Sequence, residues 1–145
     1  MTIVKKGSAH WEGSIKEGQG TVSTQSGALD QHPYGFKSRF EGGVKGTNPE
    51  EIIGAAHAAC FSMALSMMLG NAGFPPDSID TTAAVSLEQQ GEGFSISRIH
   101  LDTQVAASGL DQATFERIAQ QAKEGCPVSK LFNAEISMDA SLTTS

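Results

Sequence analysis

Cysteine is scarce in this sequence: 145 residues hold only two, Cys60 and Cys126. A single pair cannot supply the disulfide framework on which small secreted domains depend. Nor does the chain need one, because its length and 39% hydrophobic content suffice for a buried core in one globular domain over residues 1–145. Basic residues are also few, with 10 Lys and Arg against 16 Asp and Glu, which leaves a net charge of -6 and a pI near 5.1. That balance argues against a nucleic-acid partner and against a surface built to attract anionic lipid. Met1 to Gly20 lacks the apolar core of a secretory leader, since Lys5, Lys6, Glu12, Lys16 and Glu17 interrupt it. Nothing cleavable is expected there, and the cytoplasm is the expected compartment. In a reducing compartment two cysteines serve more often as catalytic, metal-binding or buried thiols than as a permanent staple.

Charge is missing in a second sense. Ile52 to Leu69 carries no formally charged residue, a length at the lower limit for a membrane-spanning helix. Gly54, His57, Ser62, Ser66, the many small Ala residues and the lack of a basic flank point instead to a central helix enclosed by protein. No membrane partner is expected. Repeats and low-complexity tracts are absent. So is the G-x-S-x-G elbow of a Ser/His/Asp hydrolase, and the Gly-rich stretch from Glu41 to Thr47 lacks the spacing of a phosphate-binding loop.

What is present reads as an α+β chain. The first 45 or so residues are Gly-rich and β-like, with short strands expected around Ala9–Trp11, Gly20–Thr24 and Phe36–Phe40. In a strand, Arg39 would face away from the Phe36 and Phe40 rings. A strong helix start follows: Asn48 can cap, Pro49 suits the first helical position, and Glu51 stands where a capping box wants its acid. The helix is predicted to run through Cys60 to about Leu69, where Gly70–Gly73 and Pro75-Pro76 end it. Two alternating stretches, Ile79 to Leu87 and Ile99 to Val105, flank the turn at Gly91–Gly93 as an antiparallel hairpin. Phe115, Ile118, Ala119 and Ala122 form the apolar stripe of a second helix starting near Asp111, and Gly125 stops it. Cys126-Pro127 opens a short helical turn to Phe132, and Glu135 to Leu142 closes the chain as a strand.

Taken alone, Cys60 in the middle of an Ala-rich helix reads as a buried structural thiol. Cys126 differs, because a helix N-terminus favours the thiolate and a low-pKa thiol is readily oxidised. His57 shares a helix face with Cys60, and with Cys126 the three make a conceivable zinc set. No C-x-x-C or H-x-x-x-H spacing or fourth ligand supports it, so His57 reads as an interface or core histidine with a hydrogen-bond partner. Met63, Met67, Met68 and Phe61 could line an apolar pocket, but at helical spacing they read as core.

Thr47 to Phe61, followed by Gly125-Cys126-Pro127-Val128-Ser129, resembles the osmotically inducible protein C family, whose close relatives are the organic hydroperoxide resistance proteins. The resemblance runs from Trp11-Glu12-Gly13 to the last strand. It implies an intertwined homodimer, with antiparallel β-sheets packed around long central helices and two active sites at the subunit interface. It also implies a peroxidase for organic hydroperoxides that uses no haem, flavin or metal. Cys60 matches the family's peroxidatic cysteine and Cys126 the resolving one. Glu50 matches its active-site glutamate and Arg39 its arginine. An external dithiol reductant is then the second partner. Glu50 and Cys60 are separated by roughly 15 Å of helical rise, so an Arg39–Glu50 pair is expected to serve the Cys60 of the partner subunit at least in part. The alternative is a redox sensor or stress-binding protein that uses the same thiol pair without turnover.

Overall fold

Five residues after a three-residue strand decide the first departure from the pattern. The structure, a computed structural model, describes residues 1–144. Strands β1 (Gly7–Glu12), β2 (Gln19–Thr24) and β3 (His32–Tyr34) form an antiparallel sheet in the order β1-β2-β3. Phe36–Phe40 is not the expected strand but a short helix, α1. In helical geometry Phe36 and Phe40 stack across one turn at 5.0 Å between ring centroids. The Ser38 hydroxyl accepts the Gly35 N–H at 2.9 Å and donates to the Thr47 carbonyl at 2.8 Å, which pins this turn to the chain that follows it. Arg39 consequently lies over the Phe40 ring, 5.4 Å from its centroid, rather than facing away from both Phe rings.

The long helix α2 (Pro49–Asn71) starts as the capping residues dictate. Asn48 Oδ1 accepts the Glu51 N–H at 2.8 Å, and Asn48 Nδ2 donates to the Glu51 carboxylate at 2.8 Å and to the Ser38 carbonyl at 2.9 Å. The chain divides into two compact units, Met1–Ile52 and Ile53–Ser145, so this start belongs to the first and most of α2 to the second.

In the second unit β4 (Ser78–Gln90) and β5 (Gly93–Ala106) form the predicted hairpin, with a bulge at Ser86/Leu87. Helices α3 (Gln112–Gly125) and α4 (Pro127–Leu131) then lead to β6 (Glu135–Thr143), which lies parallel to β5. A parallel neighbour cannot be reached by a tight turn, and the two helices make the required crossover. The predicted stripe on α3 is buried in full at Phe115, Ile118, Ala119 and Ala122, and Asp111 caps it by accepting the Thr114 N–H at 3.0 Å. These side chains pack with Phe61, Leu65 and Leu69 of α2 and with Leu101 and Val105 of β5. Each fully buried side chain of this size contributes about 1.5–3 kcal/mol relative to exposure.

One expectation for α2 needs correcting. Within the single chain the helix is not enclosed: Gly54, His57, Phe61, Leu65 and Leu69 form a buried stripe at three- and four-residue spacing, while Met63 is 76% and Met67 59% exposed. Those two methionines are therefore not core of this chain, whereas Phe61 is wholly buried and Met68 packs on the core. By length and apolarity alone α2 could cross a membrane. Its buried stripe, however, lies on the β4–β5–β6 side, where Ser62 donates to Thr81 and Thr81 meets Thr103 at 2.9 Å. Gly54 is needed for this approach, because a Cβ there would sit 3.0 Å from the Ala83 carbonyl oxygen.

Candidate functional site

Cys126 occupies the junction at which one helix ends and the next begins. Its N–H closes α3 on the Ala122 carbonyl at 3.0 Å, and its sulfur opens α4 by accepting the Ser129 N–H at 3.3 Å. Pro127 at the first position of α4 has no N–H to satisfy, which suits it to that place. The fold brings Cys126, wholly buried, against Cys60, half-buried in the middle of α2, and both are free thiols.

Burial pushes the Cys60 thiol above its ordinary value, the Val128 N–H hydrogen-bonded to it pulls the other way, and its hydrogen bond and charge coupling with Cys126 raise it further. Successive amides of α4, from Val128 and Ser129, thus reach the two sulfurs in turn.

Behind Cys126 stands a polar pair inside an apolar wall. His57 is fully buried on α2, its ring edge-on to Phe132 at 5.5 Å, and its Nε2 lies 2.7 Å from the Ser129 hydroxyl. The same hydroxyl lies 3.1 Å from the Cys126 sulfur. Burial lowers the His57 pKa and favours the neutral ring. Its Nδ1 has no hydrogen-bond partner among the described residues. The hydrogen-bond partner expected of His57 is therefore Ser129, which lies 72 residues away in sequence.

Ser129 and the Val128 amide are the members that sequence reasoning missed. A signal for Ser129 existed: three positions beyond a capping residue, its N–H is due to bond the cap side chain, and its hydroxyl comes along.

Arg39 and Glu50 meet in the first unit. The guanidinium donates from Nε to Oε1 at 2.8 Å and from Nη2 to Oε2 at 3.2 Å, the two-point geometry of an Arg–carboxylate pair. The Glu50 side chain is 10% exposed and that of Arg39 36%. Glu50 is thus largely withdrawn from water while the arginine keeps an open edge. The fold therefore assembles two pairs, Cys60 with Cys126 and Arg39 with Glu50, each within its own unit. A depression of about 780 Å³ in the first unit, between His10, Glu12, Lys16, Tyr34 and Lys45, contains neither Arg39 nor Glu50. No group of three or more His, Cys, Asp or Glu side chains among the described residues is arranged to hold a metal ion.

Comparison with known proteins gives a consistent answer. Residues 41–141 match the model of the family described as OsmC-like protein. The chain is 66% identical over 142 residues to a protein of Escherichia coli (strain K12) named Peroxiredoxin OsmC, covering 98% of this chain and 99% of that one. It is 28% identical over 126 residues to an organic hydroperoxide resistance protein of Xanthomonas axonopodis pv. citri, covering 86% and 85% of the two chains. Among solved structures, the organic hydroperoxide resistance protein OhrB of Bacillus subtilis superimposes with a TM-score of 0.68 at 25% identity, over 95% of this chain and 98% of that one. An OsmC-like protein of Vibrio cholerae does so with a TM-score of 0.76 at 16% identity, over 96% and 99%, which speaks for the α+β fold alone.

Proposed function

This chain belongs to the OsmC-like protein family, and from that premise we infer that it is a peroxidase that reduces organic hydroperoxides to alcohols with Cys60 and Cys126. The names of its relatives, Peroxiredoxin OsmC and organic hydroperoxide resistance protein, support the peroxidase activity. The observation that carries the cysteine assignment is that the fold packs the two free thiols in one cluster, Cys60 against the core to which Cys126 belongs. Two free thiols in one cluster can join as a disulfide once a movement brings their sulfurs together, and the half-buried one of the two is the one a peroxide can reach.

The Cys60 thiolate attacks the outer oxygen of the peroxide, the O–O bond breaks, and the alkoxide leaves as an alcohol once protonated. Cys60 becomes a sulfenic acid. Cys126 then displaces the hydroxyl, giving the Cys60–Cys126 disulfide and water, and an external dithiol restores both thiols. Within its own unit Cys60 is held toward the neutral thiol by burial and by Cys126, so forming the thiolate calls for a cation. Arg39, fixed by two bonds to Glu50, is that cation; it lowers the thiol pKa and binds the peroxide oxygen.

The same reading makes the protein an intertwined homodimer, in which the Arg39–Glu50 pair of one subunit serves the Cys60 of the other. The exposed Met63 and Met67 on α2 are the surface that such a dimer covers. Two free thiols suit the reducing cytoplasm.

Turnover of cumene hydroperoxide with a dithiol tests the assignment. Cys60→Ser abolishes it, and Cys126→Ser leaves a sulfenic acid on Cys60 that a trapping reagent captures. Unchanged turnover in both variants would end this reading.

A further inference from the structure

The Ser129 hydroxyl stands between two heavy atoms, 2.7 Å from His57 Nε2 and 3.1 Å from Cys126 Sγ, but it has a single hydrogen to give. The direction of that hydrogen fixes the tautomer of the ring. If Ser129 donates to His57, the neutral imidazole carries its proton on Nδ1, and a buried N–H is left with no acceptor. If Ser129 donates to Cys126, the ring proton sits on Nε2 and only a lone pair on Nδ1 goes unmet. An orphaned buried donor is the costlier of the two, so the donors run from His57 to Ser129 to Cys126. The Ser129 N–H, 3.3 Å from the same sulfur, adds a second donor.

Resting on the peroxidase reading above, we propose that His57 and Ser129 form a donor relay that holds the Cys126 sulfur as an acceptor and favours negative charge on it, priming it as the resolving thiol. Ser129 touches the reacting sulfur. His57 acts through Ser129 and is a positioning residue.

In the reduced pair Cys60 is the donor, because its hydrogen bond with Cys126 favours the neutral Cys60 thiol, so the Cys126 sulfur accepts from Cys60 as well as from Ser129. Once Cys60 is a sulfenic acid, the Cys126 thiol proton passes to the hydroxyl oxygen. The Cys126 sulfur bonds to the Cys60 sulfur, the Cys60 S–O bond breaks, and water leaves. The Cys60 sulfenic sulfur is reduced, the Cys126 sulfur is oxidised, and no charge remains. Negative charge grows on the Cys126 sulfur as its proton departs, and the two donors stabilise it at that moment. The apolar contact of Phe132 with the His57 ring keeps water from competing for the Ser129 hydroxyl.

Two measurements test the relay. In the Cys60→Ser chain Cys126 is the sole thiol, and its titration is followed by the ultraviolet absorbance of the thiolate. Adding Ser129→Ala or His57→Phe moves that titration to higher pH, and His57→Gln, which keeps a side-chain N–H donor, moves it less than His57→Phe does. Curves that superimpose on the parent for all three variants overturn the relay.

In chains with both cysteines, single turnover with cumene hydroperoxide gives the rates at which the Cys60 sulfenic acid forms and decays. The ratio of decay to formation falls by ~10-fold or more in Ser129→Ala and His57→Phe, the loss expected for hydrogen bonds to a developing charge. Equal slowing of both steps, the mark of a packing defect, overturns the proposal. If the parent chain forms no sulfenic acid on Cys60, the peroxidase reading fails, and the titration still decides whether the relay acts on Cys126.

Discussion

Arg39 and Glu50 are joined at two points, Nε to Oε1 at 2.8 Å and Nη2 to Oε2 at 3.2 Å, with the carboxylate almost withdrawn from water. A lysine can match the charge of Arg39 but not this fork. Arg39→Lys is therefore expected to lower kcat/KM for an organic hydroperoxide by about 10²-fold, the scale of losing one positioned electrostatic donor. Glu50→Gln, which can still accept at one oxygen, should lose less than Arg39→Lys. Steady-state kinetics with cumene hydroperoxide measures both. Parent-like kcat/KM in Arg39→Lys would remove the two-point geometry from the mechanism.

The start of α2 is a separable, structural feature. Asn48→Ala removes the bond to the Glu51 N–H and two donated bonds, and should cost about 1 kcal/mol of unfolding free energy. Glu51→Ala removes only the acceptor of one of those bonds and should cost less, with peroxidase activity retained. Urea unfolding monitored by circular dichroism ranks the two.

Met63 and Met67 stand out from a helix that is otherwise apolar. A dimer that buries this face cannot accommodate carboxylates there without stranding them away from water. If the proposed homodimer buries this face, Met63→Glu and Met67→Glu together should yield a monomer in light scattering where the parent chain is a dimer. Turnover should fall with it if Arg39 and Glu50 reach Cys60 across the interface. A monomer with full activity would show that each chain completes its own site.

His57 links stability to acid. Burial lowers its folded pKa below the ordinary histidine value, so the fold prefers the neutral ring. Its contribution is fully present above the unfolded value and is lost as pH falls from there through the folded value. Between neutral pH and pH values below that window the parent should lose more unfolding free energy than His57→Gln, whose side chain does not titrate. Urea midpoints at the two pH extremes give the comparison, and parallel losses in the two chains would contradict it.

Residue patterns local in sequence were enough for most of the architecture. The Asn48/Glu51 start of α2, the β4–β5 alternation and the α3 stripe each depend on neighbours within a turn or a pleat, and each is found where the pattern puts it. Phe36–Phe40 is different. Five residues are too few for a period to separate strand from helix, and a Ser38 bond to a carbonyl nine residues away favoured the helix. The parallel pairing of β6 with β5 was equally hidden, because strand order depends on which edge remains open once the crossover helices have packed.

Within the site, the sequence by itself determined that two thiols, an arginine and a glutamate were available, and family resemblance attached roles to them. By position alone Cys60 read as an inert core thiol and Cys126 as the reactive one. Only the tertiary structure decided that the two cysteines share one cluster, that Cys126 is the buried partner and Cys60 the more accessible one, and that His57 stands behind Cys126 through Ser129. The reason is range. Capping, periodicity and charge act over a few residues and can be read along the chain, whereas the environment of a sulfur is set by side chains brought from dozens of residues away. Burial and hydrogen bonding, which govern thiol reactivity, exist only once those segments have packed.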